Sequence, residues 1–501
     1  MSNPNMDTFR ERLGEVYDLR AATALSHWDM EVNMPPKGGP ARGKQLATLS
    51  ALTHRLFTAE EFGGLLHRLH EMNDKLAADE ATLVAETLYD YERARKLPEA
   101  FVQRLAEEES KAYQVWVKAR EASDFQMFQP NLETLVDLAR QRAEYLGYED
   151  TPYDALLEDY ERGMTAGRLQ ETFDALLPRQ KRLVARIAAA GPQTGLDWLE
   201  GAWEEDAQWR MTLRVLEDMG YDFAAGRQDR SVHPFTTNFD IGDVRITTRV
   251  NASELFSCLT GSIHEGGHAL YEQGFREEDR RTTLAEAPSL GIHESQSRMW
   301  ENMAGRSLPF WEHYTPLLRQ HFPGRLDTVS PEQVYRAINQ VRPSLIRVEA
   351  DECTYNLHII LRFEIEKALV EGDLAAGEVP GAWNEKMKDY LGLDVPDDAR
   401  GCLQDIHWSH GSFGYFPTYA LGNLYAAQLF EQISEDVPGL WEHVRRGDFA
   451  PLLGWLRTQV HRAGRRKTAV ELVRDATGRE PGPDPFLRYL EGKYEALYEL
   501  G

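Results

Sequence analysis

Three residues with the types and spacing for metal chemistry lie in the stretch His264-Glu265-Gly266-Gly267-His268, which reads H-E-x-x-H. On a helix, a four-residue step puts two side chains on one face, one turn apart. Two imidazoles so placed, His264 and His268, can hold one zinc ion. Glu265 then stands near the ion's open side, where a carboxylate can take a proton from water. The flanks predict a helix. Leu255, Phe256, Leu259, Ile263 and Leu270 recur at helical spacing, and Asn251 with Glu254 forms a candidate capping box. Gly266 and Gly267 are unexpected there, because glycine costs about 1 kcal/mol in a helix interior. One reading is that they let a substrate backbone approach the helix. The plain alternative for the whole motif is a helix with two surface histidines, which its amphipathic setting disfavours.

A hydrolytic zinc site needs a third protein ligand and an open position. The metzincin extension of the motif requires glycine at 271 and histidine at 274, where this chain has Tyr271 and Gly274. A glutamate from a following helix is the other common solution. Glu294, in His293-Glu294-Ser295-Gln296, is the candidate, with Glu286 and Glu301 as rivals. Its plain alternative is a helix-start carboxylate facing the dipole. A donor for the oxyanion of peptide hydrolysis is also needed. The run His410-Gly411-Ser412-Phe413-Gly414-Tyr415-Phe416-Pro417-Thr418-Tyr419 can supply one, its glycines allowing close approach. Tyr415 and His410 are the first candidates and Tyr419 the next; otherwise these aromatics pack a groove wall.

The elements that must position these residues are mostly helices. Apolar residues at three- and four-residue steps predict helices over about 7–30, 41–54, 59–72, 76–95, 98–121, 129–146, 167–189 and 203–219. Residues 226–250 differ. Thr236, Phe239, Ile241, Val244, Ile246 and Val250 surround the turn dipeptide Gly242-Asp243, predicting a small hairpin or sheet near 235–250. Helices then follow over 251–274 and from Ser289 through Met303. A helical zone over 331–371 is interrupted at Pro343, and Thr468 with Glu471 forms a second candidate capping box. The expected fold is mainly α: one large helical body, residues 1–501, with two lobes around a groove. Its first part, 1–230, is mostly helical, and 231–501 carries the zinc site.

With 501 residues, 42% hydrophobic and 27% charged, the chain can bury a large core of the soluble globular kind. A net charge of −25 without a compensating basic stripe excludes a nucleic-acid binder. The one dense basic cluster, Arg462, Arg465, Arg466 and Lys467, reads as a solvated helix end. No run of 18 uncharged apolar residues occurs and the first residues lack an apolar signal core, so neither a membrane span nor secretion is expected. Cys258, Cys353 and Cys402 are odd in number and far apart, which predicts free thiols in a reducing compartment.

Several motifs, in order, give a resemblance. They are Trp28-Asp29-Met30-Glu31 with Met34-Pro35-Pro36, then His233-Pro234-Phe235, then Asp243-x-Arg245-x-Thr247. H-E-x-x-H and His293-Glu294-Ser295-Gln296 follow, with Ile346-Arg347-x-x-Ala350-Asp351 and Gly401-x-x-Gln404-Asp405-x-His407-Trp408 after them. Along most of its length the chain resembles the M32 metallocarboxypeptidases, the carboxypeptidase Taq family. The resemblance implies a cytosolic, often dimeric zinc carboxypeptidase with a neurolysin- and angiotensin-converting-enzyme-like fold, in which the groove is a deep substrate groove. It implies broad specificity with poor release of C-terminal proline. It supports His264, His268 and Glu294 as ligands, Glu265 as base, and the His410–Tyr415 spacing as that of related helical metallopeptidases. One zinc per chain is expected, with cobalt or manganese as substitutes. Arginine reads a terminal carboxylate best, so Arg347 and Arg245, in the family's two arginine motifs, are the expected substrate-binding residues, joined by Tyr419 and His407. Asp243, Asp351 and Asp405 are expected to brace rather than react. Two other readings are an endo-oligopeptidase on the same scaffold and a non-catalytic peptide-binding scaffold with a structural zinc. The base at Glu265 disfavours the second.

Overall fold

Helical periodicity carries through the chain: the computed structural model describes residues 3–500 and contains twenty α-helices among them. The segments expected over 7–30, 76–95, 98–121 and 167–189 are the helices Pro4–Val32, Ala78–Lys96, Glu99–Ala122 and Ala166–Ala190. None of the helices is long and apolar enough to cross a membrane. The three cysteines are free and buried.

The expected hairpin is part of a three-stranded sheet. β1 (Gln228–Arg230) pairs parallel with β3 (Asp243–Thr248), and β2 (Thr236–Asp240) pairs antiparallel with β3, giving the order β1-β3-β2. Its register places Thr236 opposite Ile246 and Thr237 opposite Arg245.

Two capping expectations came out differently. Thr468 and Glu471 form the expected box at the start of Ala469–Thr477. Asn251 does not cap the motif helix. Its side chain accepts from the backbone N–H of Ser253 at 3.0 Å in a local turn, and the helix begins at Ser257. Asparagine competes well for its own neighbouring amides, and that is the contact that wins here. The zone 331–371 is also more broken than expected. It consists of Pro331–Ile338, an irregular segment with one short 3-10 turn at Arg347–Glu349, and Tyr355–Glu371.

The apolar side chains form two main cores. The larger draws on both sides of residue 230, from Phe101 to Tyr498. The smaller joins Pro4–Val32, Glu60–His70 and Ala78–Lys96 through Phe9, Leu13, Phe62, Leu66, Leu83 and Tyr91, with Leu284 from the body. Between this N-terminal lobe and the body lies a polar seam. Arg465 pairs with Glu86 at 3.2 Å, Asp90 at 2.5 Å and Glu286 at 3.2 Å, and Arg466 pairs with Asp79 at 3.0 Å and Asp279 at 2.7 Å. These two arginines are therefore not a solvated helix end: their side chains are only 15% and 10% exposed. Their counter-charges come from segments far away in the chain, which local patterning does not reveal.

Candidate active site

The H-E-x-x-H stretch lies on the helix Ser257–Glu272, which is buried along most of its length. Its two glycines are packing devices. A Cβ at Gly266 would lie 2.5 Å from Leu216 Cδ2, and one at Gly267 would lie 2.7 Å from Ser297 Cα and 2.8 Å from the Gln296 carbonyl oxygen. The expectation that they admit a substrate backbone is thus corrected. They admit two neighbouring helices, Glu205–Met219 and Leu290–Arg298. The second of these carries Glu294. From the other side the helix Pro417–Asp436 presses on it so closely that a Cβ at Gly422 would lie 2.5 Å from Glu294 Cγ.

This packing brings His264, His268 and Glu294 together, with one candidate ligand atom from each lying within 4.8 Å of the others. Glu294 Oε2 is 3.8 Å from His264 Nε2 and 3.5 Å from His268 Nε2. Donors arranged tetrahedrally about 2.0–2.1 Å from one zinc ion stand about 3.4 Å apart, so the set fits a metal ion. The outer nitrogens support the same conclusion. His264 Nδ1 is 3.0 Å from Glu301 Oε2; His268 Nδ1 is 2.5 Å from His293 Nδ1, whose Nε2 is 2.7 Å from Glu272 Oε1. Engaging each Nδ1 leaves each Nε2 lone pair for the shared centre.

Glu301, a rival for the third ligand, stands instead behind His264, and the other rival, Glu286, lies in the lobe seam beside Tyr17 and Arg465. Glu301 reaches its place because Leu290–Arg298 runs on into a π-helical turn, Met299–Ala304. Such a turn holds an extra residue and rotates the side chains beyond it. Arg298 bonds Glu294 Oε1 at 2.7 Å and approaches Glu301 at 3.3 Å, and Arg306 bonds Glu301 at 2.9 Å. Burial opposes ionisation of both glutamates, but Arg298 and the imidazoles outweigh it and hold them far below the usual carboxylate range. His268 is pushed down to about 3, by burial first and His293 next, so its imidazole is neutral and able to ligate.

Glu265 is buried, and burial raises its carboxyl pKa against the opposing influence of His264 and Thr236. Its Oε2 accepts from Thr236 Oγ1 at 2.7 Å, so β2 fixes the acid. Tyr415 feels the charge of Glu294 and stacks edge-on against Tyr160 with centroids 5.1 Å apart. The imidazole beside it is His407. Their ring centroids are 5.2 Å apart, and His407 Nε2 is 3.3 Å from Tyr419 Oη. His410 is exposed, with its ring centroid 5.3 Å from that of Tyr113. The chain turns between them: His407–His410 is a 3-10 turn ended by Gly411 at φ 65°. Linear spacing could not rank two histidines that share one short turn, of which only His407 packs on Tyr415.

The two arginines separate. Arg347 is buried, its Nε and Nη2 bonded to Asp405 Oδ1 at 2.9 and 2.8 Å and its Nη1 to Tyr355 Oη at 3.0 Å. Its guanidinium lies 4.9 Å from the Tyr419 ring centroid. Arg245 forks onto Asp243 at 2.8 Å twice and is covered by Trp28 and Phe239. It pairs across the sheet with Thr237, whereas Thr236 and Asn238 reach Glu265 and Glu272. Alternation along β2 puts Arg245 on the face turned away from the motif helix.

The whole chain is similar to known proteins. The family model described as "Carboxypeptidase Taq (M32) metallopeptidase" matches residues 8–494. The chain is 44% identical over 492 residues to "Thermostable carboxypeptidase 1" of Thermus thermophilus, covering 96% of each. It is 39% identical to "Carboxypeptidase 1" of Bacillus subtilis, covering 98% of each. It superposes on the crystal structure of the M32 carboxypeptidase of Deinococcus radiodurans R1 with a TM-score of 0.97 at 39% identity, covering 99% of this chain and 100% of that one.

Proposed function

The chain belongs to the M32 family of metallocarboxypeptidases and acts on peptides; from that premise we propose a zinc enzyme that removes single C-terminal residues, broadly, with slow release of C-terminal proline. His264, His268 and Glu294 hold the ion. The observation that carries this reading is the convergence of two imidazole Nε2 atoms on Glu294 Oε2, beside a buried Glu265. A bound zinc ion supplies Lewis acidity, which makes water nucleophilic near pH 7.

The protein's own groups do the rest. Glu265 takes a proton from the attacking water and passes it to the leaving amine. Thr236 keeps its carboxylate aimed, and Tyr415 donates to the developing oxyanion. Arg347 is the reader of the terminal carboxylate. A guanidinium has five N–H donors, and three are used in the bonds above, which leaves two for a substrate. Tyr419 and His407 flank that position, Arg245 braces the sheet, and His410 stands as an outer wall residue. A homodimer and a cytosolic setting are carried forward from the family resemblance.

The test is a digest of one defined peptide followed by mass, with and without a chelator. A ladder of single C-terminal losses that stops on chelation and returns with zinc is expected. Internal fragments would replace this reading with an endo-oligopeptidase. Glu265→Gln should keep stoichiometric metal and lose turnover by about 10²–10⁴-fold; near-wild-type turnover would remove Glu265 from the reaction.

A further inference from the structure

The helix Tyr355–Glu371 is buried on all sides yet carries polar groups at Tyr355, Arg362 and Glu366. Steps of seven and four residues put the three on one face. Each holds part of the segment 404–419. Tyr355 accepts from Arg347 and lies 6.2 Å, ring to ring, from Tyr419. Arg362 bonds Asp405 at 2.7 Å and Gln404 at 2.8 Å. Glu366 is fully buried and accepts three hydrogen bonds, from Trp408 Nε1 at 2.9 Å, Tyr153 Oη at 2.9 Å and the backbone N–H of Gly414 at 3.1 Å.

The position of those bonds matters more than their number. Trp408 directly follows His407, and Gly414 directly precedes Tyr415. One carboxyl therefore ties both ends of the excursion 408–414, next to the two groups that must face the substrate. Gly414 has φ 88°, and a Cβ there would lie 2.9 Å from the Leu156 carbonyl carbon, so the loop has no slack on its far side. We propose that Glu366 is a positioning residue of the carboxypeptidase reaction: by bridging Trp408 and Gly414 it sets Tyr415 against His407. This rests on the reading that Tyr415 and His407 face the substrate.

The experiment compares wild type, Glu366→Gln, Tyr415→Phe and the double variant on one N-blocked dipeptide. It measures kcat, KM, bound metal and the Trp408 indole N–H resonance, assigned with Trp408→Phe. Glu366→Gln puts an amide donor among three donors. The expected result is a shifted indole resonance, unchanged metal, KM within about two-fold and kcat lowered on the order of ten- to a hundred-fold, since small misplacements of reacting groups cost that much. In the double variant the losses should combine less than multiplicatively. A shifted resonance with unchanged kcat, or fully multiplicative losses, overturns the proposal. If Tyr415→Phe alone leaves kcat intact, the oxyanion role fails rather than the tether, and the same cycle with His407→Gln decides the tether. Glu366→Asp, which keeps the carboxyl group and shortens the reach, serves if Glu366→Gln does not fold.

Discussion

Asp405 shows how one residue's charge supports both the site and the fold. It lies between Arg347 and Arg362. Burial works against its ionisation, but the two guanidinia prevail and hold it far below the usual carboxylate range. A carboxyl whose folded pKa is depressed contributes stability above its unfolded value, about 3.9, and that contribution drains away as pH falls below it. Denaturant midpoints measured from pH 7 down to pH 3 should therefore fall more steeply below about pH 4 in wild type than in Asp405→Asn; parallel curves would contradict the ion-pair account. Glu301 touches His264 Nδ1 at 3.0 Å, and in the proposed mechanism it acts through that ring rather than on substrate. Glu301→Ala should weaken metal affinity about 10–100-fold, read by competition with a chelator, and unchanged affinity would show that His264 needs no outer partner. The clustering of the candidate ligands was legible in the sequence for His264 and His268, because both ride one helix at a fixed step. Glu301, His293 and Glu272 were not legible as their outer partners, since those contacts arise from packing and from a π-turn that no local pattern announces. His407 was legible only as a motif member, and its ring beside Tyr415, whereas His410 is exposed, is what favours it.

At the scale of elements, the site is a problem of how closely helices approach. Gly267 and Gly422 bring the helices carrying His264, Glu294 and Tyr419 to separations that a methyl group would forbid. Gly267→Ala should then lower both thermal stability and metal affinity, because the added Cβ meets backbone of Leu290–Arg298, which cannot swing aside as a flexible side chain would. An alanine variant with wild-type metal affinity would show that the helices can part without disturbing Glu294. Helix positions were read well from periodicity alone. The irregular segment 339–354 was not, because its course is set by Asp351, which caps Cys353 and Thr354 and also accepts from the Arg342 backbone. Capping at Asn251 misled for a related reason: the same side chain can serve a turn as readily as a helix.

At the scale of the molecule, the N-terminal lobe has its own apolar core and joins the body through charges. Arg465→Ala would strip Asp90 of its paired cation and leave Glu86 to Arg162 at 2.7 Å and Glu286 to Arg20 at 3.3 Å. Breaking a largely buried network in this way should cost about 3–5 kcal/mol. We expect an early, separate unfolding step in calorimetry, with the body melting near its wild-type temperature, and a single unshifted transition would refute the clasp. The same arrangement has a consequence in time. The residues of the smaller core fall between Met6 and Tyr91, save for Leu284. A chain emerging from the ribosome can bury that core early, since units formed near the N-terminus fold first during synthesis. Arg465, which fastens the lobe to the body, follows Asp90 by 375 residues, so the lobe's core can form long before its clasp is made.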